Sequence, residues 1–303
     1  MSIGYDRPIL RRIPLWLLTL AVVACSGCAL SATQKAAVSQ FSTSASVLGD
    51  RTTEELTAMR EDTIKMTTER LLLAGPSTNP SLGDQATLDR GFELTTVETV
   101  TGATRALAAY GKSLTALVED TQSAKLQEAS NEFVASLGRV PSVKDKVSDD
   151  QLQAIGTVVQ EVGGLWIEWK RKRAVRTIVN NSSSAVDHLC DLLIRDFGSG
   201  GWVALQLQVV EDPLMGVATS ALAEGKTYEA RQTALDAFRL AHSSRMRRTE
   251  VLKRVTDAAD AMKKANEALV QAVATSQFSF ADIEAFATKA RSLAIAVRTI
   301  GTE

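Results

Sequence analysis

Apolar residues recur at three- and four-residue steps along most of this chain, and this spacing constrains its fold more than any other feature. Residues at such steps lie on one face of an α-helix. Alternation of apolar and polar residues, the pattern of a half-buried β-strand, does not extend over a useful length anywhere. The sequence therefore predicts an all-α protein. The clearest series is Val100, Ala103, Leu107, Tyr110, Leu114 and Leu117.

Segments that contain glycine, proline or serine divide the helical pattern into long pieces. The connections are predicted at 75–83, 138–141, 198–201 and 277–279. The first helix is expected to begin at Val38 and to extend for about 35 residues, or roughly 50 Å. Because short connections join antiparallel neighbours, we predict an elongated antiparallel bundle of long, coiled-coil-like helices.

Several smaller features qualify this prediction. Pro213 is expected to interrupt its helix, and residues 180–184 could kink or restart a helix that extends to Phe197. Residues 121–137 either continue the second helix or form a short partner. Aromatic residues make up only 5% of the chain, so alanine, leucine and valine must form most helix contacts. Asn266 falls on an apolar seam. It could fix the register there, but a slightly rotated helix that exposes it is the favoured interpretation.

The N-terminus has the pattern of a bacterial export signal. Arg7, Arg11 and Arg12 precede a short apolar run over residues 13–24. This run is too short to cross a membrane, because a spanning helix needs about 20 predominantly apolar residues.

The segment Val22-Val23-Ala24-Cys25 resembles the lipobox of bacterial lipoproteins. This resemblance covers only the leader. It implies that residues 1–24 are removed, that Cys25 is acylated, with Cys28 as the alternative, and that Ser26 directs the protein to an outer membrane. Soluble secretion after cleavage near residues 29–31 and retention of an uncleaved anchor are the other outcomes.

The chain is accordingly divided into a signal peptide over 1–24, a lipidated tether over 25–37 and a helical bundle over 38–303. A glycine-rich hinge is expected within the bundle at 198–201. The 34 basic and 35 acidic side chains give a formal net charge of −1. A nearly neutral protein offers no global field to attract a polyanion, so nucleic acid is not an expected partner.

The sequence contains no set of residues typical of catalysis or metal binding. His188 and His242 are the only histidines. On a helix, His188 can meet Asp191, but Cys190 points elsewhere, and one histidine with one carboxylate is too few for a zinc site. We therefore expect no enzyme activity, no cofactor and no metal. Cys190 lies among leucines, so we expect it to be a buried free thiol, with a disulfide to Cys28 as the alternative.

A run of tryptophans and cations is the strongest local anomaly. Indoles beside cations suit a membrane headgroup layer or an acidic partner, although a structural tryptophan stripe with a solvated charged face is the favoured interpretation. A second basic stretch covers residues 245–254, and an interaction surface would be favoured if both stretches lay at one end of the bundle. The candidate surface comprises Trp166, Trp169, Lys170, Arg171, Lys172 and Arg173.

These patterns predict a lipid-anchored protein of the bacterial cell envelope, in the outer membrane and facing the periplasm. Its helical surface would mediate interaction or spacing without catalysis. The expected partners are the membrane, through the N-terminal lipid, and either an envelope protein or a second copy of the chain. The alternatives are a periplasmic bundle that binds a ligand between its helices, as sensory or carrier domains do, and a factor that excludes phages or toxins.

Overall fold

A computed structural model describes residues 29–74, 88, 92, 94–119, 123–144, 148–162, 168–275 and 278–300. Within these ranges the secondary structure is helical and contains no strand, which confirms the all-α prediction. The helices, in chain order, are α1 (Ala32–Ala74), α2 (Leu94–Val118), α3 (Ser123–Gly138), α4 (Pro141–Lys144), α5 (Asp149–Val162), α6 (Glu168–Phe197), α7 (Trp202–Glu224), α8 (Tyr228–Ala274) and α9 (Ala281–Ile300).

Helices α1 and α2 are antiparallel and lie very close together. Small residues make this approach possible: a Cβ atom on Gly49 would lie 2.3 Å from the carbonyl oxygen of Thr104, and one on Gly111 would lie 2.4 Å from that of Ser42. The hydroxyls of Thr53 and Thr104 form a hydrogen bond of 2.6 Å across the same contact. Glycine is therefore required at two points where the backbones of the two helices touch.

Helix α8 is the longest helix and packs against both α6 and α7. Its 47 residues span about 70 Å at 1.5 Å per residue. In its N-terminal half, Ser244 donates a hydrogen bond of 2.9 Å to Glu211 of α7. In its C-terminal half, Asn266 donates one of 3.0 Å to Asp187 of α6. Helices α6 and α7 thus follow one another along α8, and both are antiparallel to it.

The glycine-rich segment at 198–201 forms the tight turn between α6 and α7. Gly200 has a φ of 85°, a left-handed conformation that favours glycine. A Cβ atom on Gly201 would lie 2.3 Å from the carbonyl oxygen of Arg195, so this position also requires glycine. The hydrogen bond from Gly201 N to Gly198 O closes the turn at 2.9 Å.

The interruption predicted near Pro213 is wrong, because α7 continues through it, and α6 continues through residues 180–184 without a restart. In α6 the Ser182 hydroxyl donates a hydrogen bond of 2.5 Å to the Ile178 carbonyl, so the hydrogen-bonding need of this polar side chain is met within the helix. In α7 the proline removes the donor for the carbonyl of Val209. Val209 is 60% exposed, so this lost hydrogen bond lies on the outer side of the helix.

Helix α1 begins at Ala32, six residues before the boundary predicted at residue 38. Ser31 and Gln34 form a reciprocal cap, in which each backbone N–H donates to the other side chain, at 2.9 and 3.1 Å. Gln34 is buried and also donates to the Ala272 carbonyl of α8 at 2.6 Å. Residues 32–37, assigned to the tether from their composition, therefore belong to the packed bundle.

The core combines a few stacked rings with many small apolar side chains. Phe41 of α1 lies 6.0 Å from Tyr110 of α2 and 5.5 Å from Phe286 of α9, measured between ring centroids. Tyr110 lies 5.4 Å from Phe133 of α3, which folds back on α2 as a separate helix. All four rings are fully buried, so they join four helices at one level of the bundle.

Asn266 is fully buried at the contact between α6 and α8, so the favoured interpretation that it would be exposed is wrong. Its amide nitrogen donates to the carbonyl and hydroxyl of Ser183, at 3.2 and 3.0 Å, and to the carboxylate of Asp187 at 3.0 Å. A buried amide with specific partners favours one register of two packed helices over others.

Candidate interaction surface

Five residues of the predicted interaction surface lie in the first two turns of α6, whereas Trp166 lies outside the described residues. The helix does not bring all five to one face. Trp169 is 47% exposed, but Arg171 is only 2% exposed. The predicted surface is therefore divided between an exposed face and a buried contact.

Arg171 belongs to a contact between the start of α6 and the start of α1. Its guanidinium donates to Glu168 Oε1 at 2.9 Å, and Lys35 of α1 donates to the same oxygen at 3.0 Å. Since one carboxylate oxygen joins cations from both helices, Arg171 helps to fix the two helix starts beside each other. Its role here is structural.

The exposed face of the same segment forms an open basic groove. Its cavity volume is about 490 Å³. Arg173 and Arg176 are exposed, and neither forms an ion pair with a residue in the described part of the chain. Steps of three and four residues place these side chains on one side of α6. The basic groove is lined by Trp169, Lys172, Arg173, Arg176, Thr177, Asn180 and Asn181.

The second basic stretch does not join this groove. Arg247 pairs with Glu55 of α1, and Arg248 pairs with Glu211 of α7. Glu55 lies twenty positions after Lys35 on the continuous helix α1, which corresponds to roughly 30 Å. The two basic stretches therefore lie at different levels of the bundle, and the condition for one common basic surface is not met.

Arg247 of α8 and Glu55 of α1 form a bidentate ion pair between helices distant in sequence. Arg247 Nε and Nη2 donate to the two oxygens of Glu55 at 2.6 and 2.9 Å, and Nη1 donates to Asp62 at 3.3 Å. The Glu55 side chain is fully buried. No local pattern identifies this pair, because 192 positions separate its members and only the packing of α8 on α1 brings them together.

Glu211 is a second fully buried carboxylate at this level of the bundle. It lies 2.9 Å from Arg248 and accepts a hydrogen bond of 2.9 Å from Ser244. Burial raises the pKa of Glu211, and the charge of Arg248 and the bond from Ser244 oppose the increase. Because their partners lie within the bundle, these charges contribute to the packing of α1, α7 and α8.

The residues considered for metal or nucleophile chemistry are not assembled into a site. Cys190 is a buried free thiol, and burial raises its pKa, which opposes formation of the reactive thiolate. Asp191 pairs with Lys263 rather than with His188. Within the described residues, no group of three or more histidines, cysteines or carboxylates could hold a metal ion.

An open groove of about 690 Å³ lies between α1, α2 and α3. Its lining carries both signs of charge, and several of these charges pair locally. Lys112 lies 3.3 Å from Asp50, and Arg51 lies 2.5 Å from Glu54. A small-molecule site normally combines an apolar enclosure with a few convergent polar groups. This groove is open and strongly charged, so it does not favour the ligand-binding alternative.

Comparisons of the chain with protein-family models, with curated proteins and with solved structures found no match. None of the described helices combines the length and apolar character needed to cross a membrane. Both candidate lipidation residues, Cys25 and Cys28, lie outside the described residues.

Proposed function

We propose that this protein is a bacterial envelope lipoprotein, anchored through Cys25, that acts as a non-catalytic helical scaffold. The observation that carries the proposal is the position of the packed helix α1 directly after the lipobox-like segment. Ser31 caps α1, and Gln34 is already buried against α8. The segment from Cys25 to Ser31 spans at most about 20 Å when fully extended. A lipid on Cys25 would therefore hold this end of the bundle close to a membrane.

The length of α8 supports a role in spacing or presentation. Its C-terminal end lies beside Gln34, near the anchored end, and its first residue is Tyr228. Some 44 residues separate Ala272 from Tyr228, so the turn between α7 and α8 would lie roughly 65 Å from the anchored end. This far end exposes Leu222 by 38% and Tyr228 by 81%, which makes apolar side chains available to an envelope partner.

A non-catalytic role is supported by the contacts of the two buried carboxylates, which pair with arginines of a neighbouring helix. Glu55 and Glu211 are each held by an arginine from α8, at 2.6 and 2.9 Å. A catalytic acid or base must instead reach the proton of a bound substrate. These carboxylates face partner helices rather than a cavity, which suits stable packing of long helices.

Lipidation is tested by expressing the full chain as native protein, Cys25→Ser, Cys28→Ser and the double variant in cells fed a clickable palmitate analogue. We expect Cys25→Ser to lose the label, to keep its leader and to migrate as a larger species. Cys28→Ser should remain labelled and processed. Label on all four proteins, or on none of them, would exclude acylation at either cysteine.

Partner binding at the far end is tested by placing a photoreactive amino acid at Tyr228. The matched control places the same group at Ile295, which is 59% exposed in α9. We expect the Tyr228 position to capture a defined envelope protein or a second copy of the chain, and Cys25→Ser to reduce that capture. Equal capture at both positions would contradict a specific far-end surface.

A further inference from the structure

We propose that the basic groove on α6 binds the headgroups of anionic phospholipids in the leaflet that carries the lipid anchor. This inference rests on the proposed anchoring and adds a second, electrostatic contact with the same membrane. It assigns the exposed residues Trp169, Arg173 and Arg176 to one binding face. The surface would set how the bundle is inclined to the membrane.

The local charge of α6 suits a negatively charged surface. Between residues 168 and 186 the cations are Lys170, Arg171, Lys172, Arg173 and Arg176, and the only acid is Glu168. Glu168 is already bound by Arg171 and Lys35, at 2.9 and 3.0 Å. Cations near a membrane surface are attracted by anionic lipids within a Debye length. Since Arg171 is buried, the exposed cations Arg173 and Arg176 are the ones that present positive charge to the exterior of the bundle.

The composition of the groove points to headgroups in particular. Trp169 is 47% exposed at the end of a cationic row, and indole rings favour the boundary between headgroups and acyl chains. Arginine binds phosphate oxygens in a bidentate manner, and Arg173 and Arg176 follow Trp169 on the same side of α6.

The position of the groove in the bundle favours the membrane, rather than an acidic protein, as its binding partner. Lys35, in the second turn of α1, contacts Glu168 at the start of α6 at 3.0 Å. The groove therefore begins at the end of the bundle that the segment from Cys25 to Ser31 would hold within about 20 Å of the acyl chain. Arg176 lies eight positions after Glu168, or roughly 12 Å along α6. For it to reach headgroups, the bundle must incline towards the leaflet.

The test measures sedimentation of the full chain with vesicles, using Cys25→Ser protein so that the acyl chain does not contribute. Vesicles of phosphatidylcholine are compared with vesicles of equal parts phosphatidylcholine and phosphatidylglycerol. The variant pair is R173Q/R176Q, and the matched control is K226Q/R239Q, which removes the same charge from two exposed positions of the α7–α8 hairpin. Circular dichroism verifies that all proteins are equally helical.

We expect the anionic vesicles to bind the parent protein more tightly than the neutral vesicles. R173Q/R176Q should weaken anionic binding roughly thirtyfold, since each cation near the surface contributes about fivefold. The control should change it less than threefold, because its cations lie far from the groove. The uncleaved leader, with Arg7, Arg11 and Arg12, contributes to both kinds of vesicle in every variant, so the difference between R173Q/R176Q and the control isolates the contribution of the groove.

Two results would overturn the inference: equal binding to both vesicle types, or equal losses in R173Q/R176Q and the control. An acidic protein crosslinked through Arg173 or Arg176, with vesicle binding unchanged in the variant, would assign the groove to that protein instead. These outcomes do not depend on acylation. Failure of palmitate labelling would reject the proposed anchor and leave the vesicle result to be judged separately.

Discussion

The ion pair of Arg247 and Glu55 shows how a single contact can determine the packing of two long helices. Glu55 is fully buried on α1, and two donors of Arg247 from α8 bind its two oxygens. Forming such a pair adds little net stability, because both charges lose their hydration. Removing one member is costly, because the other charge is then buried without compensation.

We therefore expect Arg247→Met to lower the free energy of unfolding by about 3–5 kcal/mol, whereas the double variant E55L/R247M recovers most of this loss. The control R239Q breaks an exposed pair with Asp236 and should change the value by less than about 1 kcal/mol. Urea denaturation followed by circular dichroism measures all three variants. A double variant less stable than Arg247→Met would contradict this account.

Asp187 provides a prediction about pH. Burial raises its pKa, while the hydrogen bond from Asn266 and the charge of Lys263 oppose the increase, and the charges of Glu267 and Asp191 add to it. A carboxyl with a raised pKa binds its proton more tightly in the folded state. Its contribution to stability is present below its ordinary pKa and is lost as the pH rises through the folded value.

The variant D187N removes this titration but keeps an acceptor oxygen for Asn266. We expect native protein and D187N to be closest in stability at acidic pH, and D187N to gain relative stability as the pH rises towards neutrality. Denaturation at a series of pH values measures the difference. A difference that is independent of pH, or that favours the native protein more at neutral pH, would be inconsistent with the burial of Asp187.

At the scale of elements, the closeness of α1 and α2 depends on glycines inside the helices. A Cβ atom on Gly49 would lie 2.3 Å from the backbone oxygen of Thr104, whereas one on Gly156 of α5 would meet no described residue within 4 Å. We expect Gly49→Ala to destabilise the protein by about 1–3 kcal/mol, because the two backbones must separate. Gly156→Ala should stabilise it by roughly 0.5–1 kcal/mol, since alanine is the better helix former. Thermal unfolding of the two variants measures these changes. Losses of stability of similar size in both variants would exclude the steric explanation.

The helices were predictable from sequence to the extent that apolar periodicity determines them. That spacing gives α2, α8 and α9, whereas residues 32–37 looked like a tether because they are small and polar. The Ser31 and Gln34 cap was readable as a local motif, but burial of Gln34 against Ala272 was not. Likewise, Asn266 is buried because Asp187 and Ser183 are opposite it, which only the register of α6 and α8 determines.

At the scale of the whole molecule, the candidate site depended on which cations the fold leaves exposed. The sequence predicts one surface that contains both Arg171 and Arg173. In the structure Arg171 binds Glu168, which also binds Lys35 at the start of α1, whereas Arg173 is exposed. In the second basic stretch, Arg247 and Arg248 are likewise bound by carboxylates of α1 and α7. Composition cannot separate these cases, because it does not contain the contacts between distant helices.

The inclination of the bundle towards the membrane yields a prediction for the entire molecule. If headgroups bind the side of α6, the far end near Tyr228 must lie closer to an anionic membrane than to a neutral one. We expect higher energy transfer from a dye at Y228C to an acceptor lipid when acylated protein is reconstituted in phosphatidylglycerol-containing vesicles than in phosphatidylcholine vesicles. R173Q/R176Q should abolish this increase, and K226Q/R239Q should preserve it. Equal transfer in both vesicles by the native protein would mean that the anchor alone attaches the bundle and that its inclination is independent of α6.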